Sequence, residues 1–371
     1  MNLLHVTKYY YPITGGQEVY IQNLNKIFVN HDIKPNIIQP ANRSIKKSRE
    51  NVRVVPRIPI RWGKYFKDID WFFFNLMLRI NIKFIQSQDV VISHYPFHYP
   101  ALKKIKNLIV LSHGVNWRTP PMSYAEKFHK NISKSIDTEK VIIVSNDTNF
   151  LREIGINVNP RTRFFEEVKK NVWFIPNCIN TGEFTPMDNV KKDKVIFVPR
   201  NIRYVRGIHL AIEAFNLFIK DYTDYKLLIA GGPLGGSYYE YCQSLVNGYG
   251  LGRKVEFLGG LNNEQIKAYY HSSQLTLIPT IDTEGTSLSA LESMACRTPV
   301  ISTTVGGLLD LPTEKCAVNA QDMSNVMKKT LKNYDVIKNL QLEETLKIFN
   351  HDNWEKAWLR VIQQAKILGA T

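Results

Sequence analysis

Short runs of apolar and β-branched residues alternate along this chain with longer segments whose apolar residues recur at helical spacing. The helical period is clearest in Gln17–Val29 and Ile208–Ile219, where the apolar side chains share one stripe. Alternating strands and helices predict parallel sheets wound by right-handed crossovers. The predicted strands are Asn2–Thr7, Asn36–Gln39, Val52–Val55, Val90–Ser93, Leu108–Leu111, Val141–Val144, Trp173–Ile175, Val195–Val198, Lys226–Ala230, Val255–Leu258, Thr276–Ile278, Val300–Ser302 and Ala317–Val318.

The number of predicted strands favours two domains. Open sheets rarely exceed about ten strands, so this chain is expected to be an α/β protein with two doubly wound, Rossmann-like domains. The boundary is expected within 181–194, a segment with Gly182, Pro186 and many charged residues. We therefore assign residues 1–185 to the first domain and residues 186–350 to the second.

Composition narrows the class of protein. The chain has 371 residues, of which 44% are apolar and 22% charged, as in globular proteins. No apolar run reaches the ~18 residues of a membrane helix. The start, Met1–Val6, is too short for a signal peptide and reads as a strand. Four dispersed cysteines without a C-x-x-C spacing argue against disulfides or a zinc ribbon and predict a cytoplasmic protein.

Charge is distributed unevenly. Residues 1–185 carry 27 Lys and Arg against 14 Asp and Glu, a net charge of +13, whereas residues 186–371 carry a net charge of +2. A basic half favours a phosphate-bearing partner such as a nucleic acid, an anionic membrane or a phosphorylated substrate, and the alternative is a lysine-rich solvated surface. No nucleic-acid-binding motif accompanies the charge, so nucleic acid is not expected as a partner.

Three loops that follow predicted strands carry candidate chemistry, because ligands of doubly wound sheets bind beyond the carboxyl ends of the strands. Gly15 and Gly16 precede the first helix, where glycines allow close backbone approach to a ligand; a plain tight turn is the alternative. Arg200 and Arg206 flank the loop before Ile208, so two guanidinium groups can grip a diphosphate, or else simply face water.

The third loop is the most specific. A predicted strand ends near Pro279, a polar loop contains Glu284, and an apolar helix that starts near Ser287 contains Glu292. A carboxylate among small and apolar residues needs partners, and sugar hydroxyl groups are suitable ones. The backbone amides at the helix start suit an anion. These amides belong to Gly285, Thr286, Ser287 and Leu288.

The spacing of Glu284 and Glu292, followed by Ser293-Met294-Ala295 and by 299–307, resembles the signature of retaining glycosyltransferases of family 4, which have the two-Rossmann GT-B fold. The similarity covers nearly the whole chain. Other matching segments are Gly15-Gly16-Gln17-Glu18, Ser112-His113-Gly114, Ile175–Asn180, Arg200 with Arg206-Gly207, Leu227–Gly232, Val255–Gly260 and the C-terminal segment with Trp354 and Trp358. Arg206 and Arg297 depart from the family, which commonly has Lys and Gly there.

The resemblance implies roles for these residues. The two domains would face each other across a cleft, with residues 1–185 binding the acceptor, residues 186–350 binding the donor, and 351–371 returning as a helix to the first domain. His113, Glu284, Arg200 and Arg206 would be catalytic. The donor-binding residues would be Gly15, Gly16, Arg200, Arg206, Glu284, Gly285, Thr286, Ser287, Leu288 and Glu292. In this scheme Glu292 contacts the ribose, Glu284 contacts the sugar, and neither a metal nor another cofactor is required.

The resemblance also implies the reaction. It is retaining transfer of a sugar from a nucleotide sugar to a glycan or a lipid-linked acceptor. GDP-mannose is the expected donor, because mannosyl transfer is frequent among relatives. The alternatives are a UDP-sugar donor, a sugar-nucleotide-binding or hydrolysing relative without transfer activity, and an epimerase or phosphorylase of similar fold.

Two aromatic clusters remain open in their interpretation. Basic and aromatic residues mix in 61–74, including Lys64 and Lys67, which suits peripheral contact with an anionic membrane. The alternative is that Trp71–Phe74 packs under the first sheet. His94 and His98, with neighbouring aromatic residues, either form the floor of an acceptor site or pack at a strand end.

Overall fold

The computed structural model describes residues 1–12, 15–42, 44–57, 69–115, 122–187 and 190–370. They form two compact units. The first unit contains Met1–Asn159, Arg163–Pro176 and Trp354–Thr371, and the second contains Pro160–Thr162 and Asn177–Asn353.

The first unit is built on an eight-stranded sheet in the order β3-β2-β1-β4-β5-β6-β8-β7. Its strands pair in parallel, except that β7 runs antiparallel to β8. The strands are β1 (Asn2–Val6), β2 (Lys34–Pro40), β3 (Val52–Val55), β4 (Val90–Ser93), β5 (Leu108–Ser112), β6 (Ile142–Ser145), β7 (Glu166–Lys169) and β8 (Val172–Phe174). Every residue of β4, β5 and β6 is buried, as expected for parallel strands covered on both faces.

Helices cover this sheet. Within the described residues they are α1 (Gly16–Asn30), α2 (Ile69–Ile80), α3 (Ile82–Gln86), a 3₁₀ turn (Pro96–His98), α4 (Tyr99–Leu102), α5 (Tyr124–Lys134), α6 (Thr148–Glu153) and, from Trp354 onward, α13 (His351–Ala370). Trp354 and Trp358 of α13 are buried, and Trp358 Nε1 donates to Tyr20 Oη of α1 at 3.1 Å. The last helix of the chain is therefore part of the core of the first unit.

The second unit has an all-parallel sheet of six strands in the order β11-β10-β9-β12-β13-β14. The strands are β9 (Asp193–Pro199), β10 (Lys226–Ala230), β11 (Val255–Gly259), β12 (Ser273–Ile278), β13 (Val300–Thr303) and β14 (Glu314–Cys316). The helices are 3₁₀ turns at Tyr204–Arg206 and Gly306–Asp310, α7 (Ile208–Phe218), α8 (Ser237–Gly248), α9 (Asn263–Ser272), α10 (Leu288–Ala295), α11 (Ala320–Lys332) and α12 (Tyr334–Ile348). The sheet order reverses between β9 and β12, which is where such sheets bind ligands.

Two parallel-sheet α/β units confirm the predicted fold class, but one strand was not predicted and another was predicted at the wrong residues. Strand β7 was not predicted, because Glu166–Lys169 is mostly charged and lacks the apolar pattern of a buried strand. It is the edge strand of a hairpin with β8, where charge is tolerated. The last strand was predicted at Ala317–Val318 and lies at Glu314–Cys316, in register with β13.

The division between the units falls at Pro176 and Asn177, nine residues before the predicted boundary at 185. Strand β8 ends at Phe174, and Asn177 already contacts the second unit, since its Nδ2 donates to Thr286 O at 2.5 Å. The composition of 181–194, which is rich in charged residues, predicted a later boundary, whereas the tertiary contacts divide the chain between Pro176 and Asn177.

The aromatic and basic segment 61–74 is only partly described, from Ile69 onward, where it forms the start of α2. Lys64 and Lys67 lie outside the described residues. Within α2, Phe74 is buried, Trp71 packs edge-on against Tyr95 at 4.8 Å, and Phe72 is 50% exposed. None of the helices in the described ranges combines the length and the apolarity that crossing a membrane requires.

Candidate functional site

Three loops of the second unit meet beyond the carboxyl ends of β9, β12 and β13, and two glycines allow it. Gly207 has φ +68°, and a Cβ there would lie 1.8 Å from the carbonyl oxygen of Pro279. Gly306 has φ +55°, and its Cβ would lie 2.3 Å from the carbonyl oxygen of Glu284. Because side chains at these positions would be both strained and overlapping, only glycine lets the loops approach this closely.

The arginines predicted to grip a diphosphate converge on one carboxylate. Both guanidinium groups form ion pairs with the same oxygen of Glu284, Oε2, from Nη2 of Arg200 and Nη1 of Arg206. Thr280 joins them: its Oγ1 accepts from Arg200 Nη2 at 2.9 Å and donates to Glu284 Oε2 at 3.0 Å. The structure therefore brings three of the four predicted catalytic residues into direct contact.

Burial makes these arginines strong anion ligands. Arg200 is 8% exposed, and its Nε is buried without a hydrogen-bond partner among the described residues. Burial lowers the pKa of Arg200 to about 9 and also lowers the pKa of Arg206. Arg200 therefore remains charged at neutral pH, and its charge acts in surroundings that screen it poorly.

The predicted amides lie at the start of α10. The helix begins at Leu288, and Ser287 precedes it in extended conformation without capping it through its side chain. The N–H groups of a first helical turn have no acceptor within the helix, so this end attracts an anion. Ser287 Oγ is buried and has no hydrogen-bond partner in the described part of the chain. Gly285 and Thr286 connect this helix start to Glu284.

Glu292 lies in the second turn of α10. Its Oε2 accepts a hydrogen bond of 2.8 Å from Tyr270 Oη, a residue of α9. Burial raises the pKa of Glu292 to about 7, against the opposing effect of the tyrosine hydrogen bond. Burial thus favours the protonated form of this carboxyl group, and further hydrogen-bond donors would stabilise its charged form.

In the first unit, Gly15 precedes α1 and Gly16 is its first residue, and both are exposed. The Glu18 carboxylate turns back to accept from the Gly15 N–H, and burial raises the pKa of Glu18. The backbone N–H of Gly15 is therefore already hydrogen-bonded to a carboxylate of the chain itself. Gly15 and Gly16 belong to the first unit, whereas the arginines, Glu284 and Glu292 belong to the second.

His113 directly follows β5, and its ring is not isolated. Its Nε2 lies 3.0 Å from Nδ1 of His94, whose Nε2 lies 2.8 Å from Nδ1 of His5. Tyr20 meets the His113 ring edge-on at 4.9 Å. Burial lowers the pKa of His113 to about 3, so the ring is neutral at physiological pH. Sequence reasoning overlooked His5, because a single histidine inside an apolar strand carries no recognisable spacing.

Comparisons with known proteins agree with this architecture. The family model described as "Glycosyl transferases group 1" matches residues 183–339. A probable sucrose-phosphate synthase from Thermosipho melanesiensis is 25% identical over 404 aligned positions, which cover 98% of this chain and 94% of that protein. This similarity thus extends through both units.

Solved structures share the fold. Sucrose-phosphate synthase from Thermosynechococcus elongatus matches with a TM-score of 0.76 at 16% identity, over 100% of this chain and 99% of that one. Anabaena HepE, in complex with UDP and glucose, matches with a TM-score of 0.71 at 13% identity over 100% of both chains. This chain therefore has the GT-B fold of glycosyltransferases, and its match to the group 1 glycosyl transferases over residues 183–339 supports glycosyltransferase activity.

Proposed function

We propose that this protein is a retaining, metal-independent glycosyltransferase that moves a hexose from a nucleoside-diphosphate sugar to a glycan or a lipid-linked acceptor. One observation carries the proposal: Arg200 and Arg206 both reach Oε2 of Glu284. Two largely buried guanidinium groups that converge on one carboxylate oxygen can also bind another anion at that point. A nucleoside diphosphate supplies two adjacent anionic groups that suit them.

The neighbouring helix extends this site. The first turn of α10 offers backbone N–H groups to an anion, and the unpartnered Ser287 Oγ lies beside them. Glu292 has one protein donor, Tyr270, and ribose hydroxyl groups are suitable further donors for it. We therefore assign the diphosphate to Arg200, Arg206 and the start of α10, and the ribose to Glu292.

The reaction follows from these assignments. The bond between the anomeric carbon and the diphosphate breaks, and the acceptor oxygen forms its new bond on the same face of the sugar. The proton of the acceptor hydroxyl passes to the departing phosphate oxygen. The arginines stabilise the charge that develops on the leaving group. Glu284 binds the sugar once the diphosphate replaces it on the arginines, and neutral His113 positions the sugar.

The donor is proposed from two sources. GDP-mannose follows from the family resemblance of the sequence, whereas the UDP and glucose bound to HepE favour a uridine donor. A thermal-shift panel of GDP, UDP, ADP and their sugars distinguishes them, because a ligand at 100 times its Kd stabilises the protein by about 2.7 kcal/mol.

Radiolabelled donors with a glycan and a lipid-linked acceptor then test the activity. Transfer with retained anomeric configuration, unchanged by EDTA, is expected. Loss of activity in EDTA that a divalent cation restores would overturn the metal-free mechanism. Binding without transfer or hydrolysis of any donor would identify a nucleotide-sugar-binding protein instead.

The net charge of +13 on residues 1–185 supports a further partner, an anionic membrane surface. Each basic residue near such a surface contributes about 1 kcal/mol to binding. A peripheral position would give the enzyme access to a lipid-linked acceptor.

A further inference from the structure

The sheet of the first unit contains a reversal of strand order of its own. Its order β3-β2-β1-β4 reverses between β1 and β4, as the order of the second sheet does between β9 and β12. Open α/β sheets bind ligands at such a reversal, beyond the carboxyl ends of the strands. Lys8 lies there, two residues after β1 ends at Val6. Arg57 follows β3 at the same edge, and Asp70 belongs to the first turn of α2.

Lys8 and Arg57 meet on one carboxylate. Lys8 Nζ lies 3.0 Å from Oδ2 of Asp70, and Arg57 Nη2 lies 2.9 Å from the same oxygen. Arg57 Nε adds a hydrogen bond of 3.1 Å to the other oxygen, Oδ1. Burial alone would raise the pKa of Asp70, but the hydrogen bonds from Lys8 and Arg57 hold it below its usual value. Two cations thus share one ionised acid, and the three side chains together carry one excess positive charge.

The burial of Lys8 makes this charge effective. Its side chain is 4% exposed, and its ammonium group lies over the ring of Trp71, 4.0 Å from the ring centre. Charges in such surroundings are poorly screened. The side chain of Arg57 is 28% exposed, and its Nη1 takes no part in the bidentate pair with Asp70. An anion can therefore approach the cluster from the side of Arg57.

Tyr9 and Glu18 lie at the border of the cluster. Burial raises the pKa of Tyr9, Arg57 lowers it, and Asp70 and Glu18 raise it, so these charges act on one partly exposed hydroxyl group. Glu18 accepts a hydrogen bond from the Gly15 N–H. Asp70 is therefore the acid with which an incoming anion would compete directly for Arg57 and Lys8.

The chemistry of the two cations indicates the class of anion. A guanidinium group offers several N–H donors in one plane, and an ammonium group adds a compact charge beside it. A phosphate group has three oxygens with which it can accept from both. We propose that Lys8 and Arg57 form a binding site for a phosphate group of the acceptor, in competition with the carboxylate of Asp70. That the phosphate belongs to an acceptor rests on the proposed function, whereas the anion site does not.

Anion titrations test the site in the whole chain. Arg200→Ala/Arg206→Ala is the background, because it removes the anion site proposed in the second unit. Inorganic phosphate, a hexose phosphate and a short-chain prenyl phosphate are titrated at constant ionic strength, and calorimetry gives each Kd. Adding Arg57→Gln is expected to raise Kd at least about tenfold, since it removes charge-assisted hydrogen bonds.

Arg53→Gln is the matched control. It removes the same charge from an exposed position of β3, where the guanidinium group lies over the ring of Phe84. Its Kd is expected to stay within about twofold of the background, because salt screens an exposed charge. If Arg57→Gln raises Kd no more than Arg53→Gln does, the cluster is a structural ion pair and the proposal is overturned.

Asp70→Asn provides a test in the opposite direction. Neutralising the acid of a purely structural cluster lowers stability without a gain in anion affinity. In a phosphate site the competing charge is lost, so Kd is expected to fall about fivefold, the effect of a unit charge about 4 Å away in water. Asp89→Asn is the control: this exposed acid of the same unit accepts from Asn2 N at 2.7 Å, and its Kd is expected to be unchanged. If Asp70→Asn does not fold, the comparison of Arg57→Gln with Arg53→Gln decides.

The three probes distinguish the sources of the phosphate. A hexose phosphate that binds more tightly than inorganic phosphate, and that depends on Arg57, supports a sugar phosphate as the acceptor. The same result for the prenyl phosphate supports a lipid phosphate. If neither binds more tightly than inorganic phosphate, the anion site stands and its role in acceptor binding is overturned.

Transfer assays with Arg200 and Arg206 intact separate this site from the proposed function. With a donor that is turned over, Arg57→Gln is expected to raise KM for the phosphorylated acceptor at least about tenfold and to leave KM for the donor unchanged. Phosphate binding that depends on Arg57, in a protein that transfers no sugar, would keep the site and overturn the glycosyltransferase assignment. Transfer to an acceptor whose KM ignores Arg57→Gln would overturn the acceptor site and keep the proposed function.

Discussion

At the scale of single residues, the charge balance around Glu284 bears most directly on function. A guanidinium as buried as Arg200 needs a counter-ion, because an unpaired buried charge is costly. Glu284 supplies it in the ligand-free protein. A diphosphate that binds the arginines competes with this carboxylate, so the same residue that stabilises the empty site opposes donor binding.

We expect Arg200 and Arg206 to determine the affinity of the protein for nucleoside diphosphates. Arg200→Ala and Arg206→Ala are each expected to weaken nucleoside-diphosphate binding by about 1.5–3 kcal/mol, the range of charge-assisted hydrogen bonds. Titration calorimetry measures this. Arg203→Ala is the matched control, since Arg203 is exposed on the same loop. Unchanged affinity in both arginine variants would exclude them as the diphosphate site.

We expect Glu284→Gln to preserve or increase the affinity for a nucleoside diphosphate while it lowers turnover. The amide is neutral, so a diphosphate meets two arginines without a competing charge, and its affinity is expected to equal or exceed that of the wild type. Turnover is expected to fall at least tenfold if Glu284 binds the sugar, a loss of about 1.4 kcal/mol of transition-state stabilisation. Weaker nucleotide binding with full turnover would contradict both expectations.

Glu292 predicts a pH dependence of stability. Its pKa is raised to about 7 in the folded protein from an ordinary value of 4.5. Because the folded state binds this proton more tightly, wild-type stability falls as pH rises from about 4.5 to 7, by up to about 3 kcal/mol. Glu292→Gln lacks this loss, so its free energy of unfolding relative to wild type is expected to be higher at pH 8 than at pH 5. Denaturant unfolding at both pH values measures this, and a difference that does not vary with pH would refute the assigned pKa.

The sequence indicated these acidic and basic side chains but not their partners. Glu284 and Arg206 fall in recognisable motifs, whereas Tyr270, which donates to Glu292, lies in another helix at no characteristic spacing. Arg297 was noted as a departure from glycine, and the structure gives the reason for glycine: the backbone there has φ +59°. Such facts depend on tertiary contacts and backbone angles that a single sequence does not contain.

At the scale of elements, the start of α7 connects the fold to the arginines. Gly207 ends the 3₁₀ turn that contains Arg206 and begins α7 in left-handed conformation. The turn and the helix thus place Arg206 beside the loop after β12. The position of this guanidinium depends on a backbone shape that only glycine adopts without strain.

Gly207→Ala tests this dependence. It is expected to destabilise the protein by about 1–3 kcal/mol, because its φ is unfavourable for alanine and its Cβ would overlap the Pro279 carbonyl. Nucleotide affinity is expected to fall with it. Gly248→Ala, at the end of α8, is the matched control: nothing lies within 4 Å of its Cβ, and its stability is expected to be unchanged or slightly increased. Equal unfolding midpoints by circular dichroism for both variants would contradict the argument.

Elements were predictable where burial dictates composition. The buried strands β4, β5, β9 and β10 were located to within two residues at each end, because parallel strands covered on both faces are continuous apolar runs. Strand β7 was missed because an exposed edge carries charge instead. The missing information is the pairing with β8, which sequence composition does not reveal.

At the scale of the whole molecule, the uneven charge has consequences that no single residue carries. The basic residues of 1–185 are spread over many elements, so together they produce a long-range positive electrostatic field and do not form one defined binding site. Phe72 and Tyr124, which line a pocket of about 270 Å³ with Phe128, also leave half or more of their side-chain surface exposed. Charge and exposed aromatic rings together are the features that hold proteins at a membrane interface.

This field predicts binding to anionic membranes. At low ionic strength the protein is expected to co-sediment with vesicles that contain phosphatidylserine and not with neutral phosphatidylcholine vesicles. Raising the salt concentration is expected to release it, because the screening length falls to about 8 Å at physiological ionic strength. Lys64→Glu/Lys67→Glu changes the net charge by four within the basic half and is expected to weaken binding.

A matched pair separates a directed field from net charge alone. Lys220→Glu/Lys332→Glu changes the net charge by the same amount, but at exposed positions of the second unit. If the basic half faces the membrane, this control binds vesicles much more tightly than Lys64→Glu/Lys67→Glu, because electrostatic attraction acts within about a screening length of the surface. Equal weakening in both variants would mean that only total charge matters. No sedimentation of the wild type with anionic vesicles at low salt would exclude a membrane surface and leave an anionic glycan acceptor as the partner of the basic half.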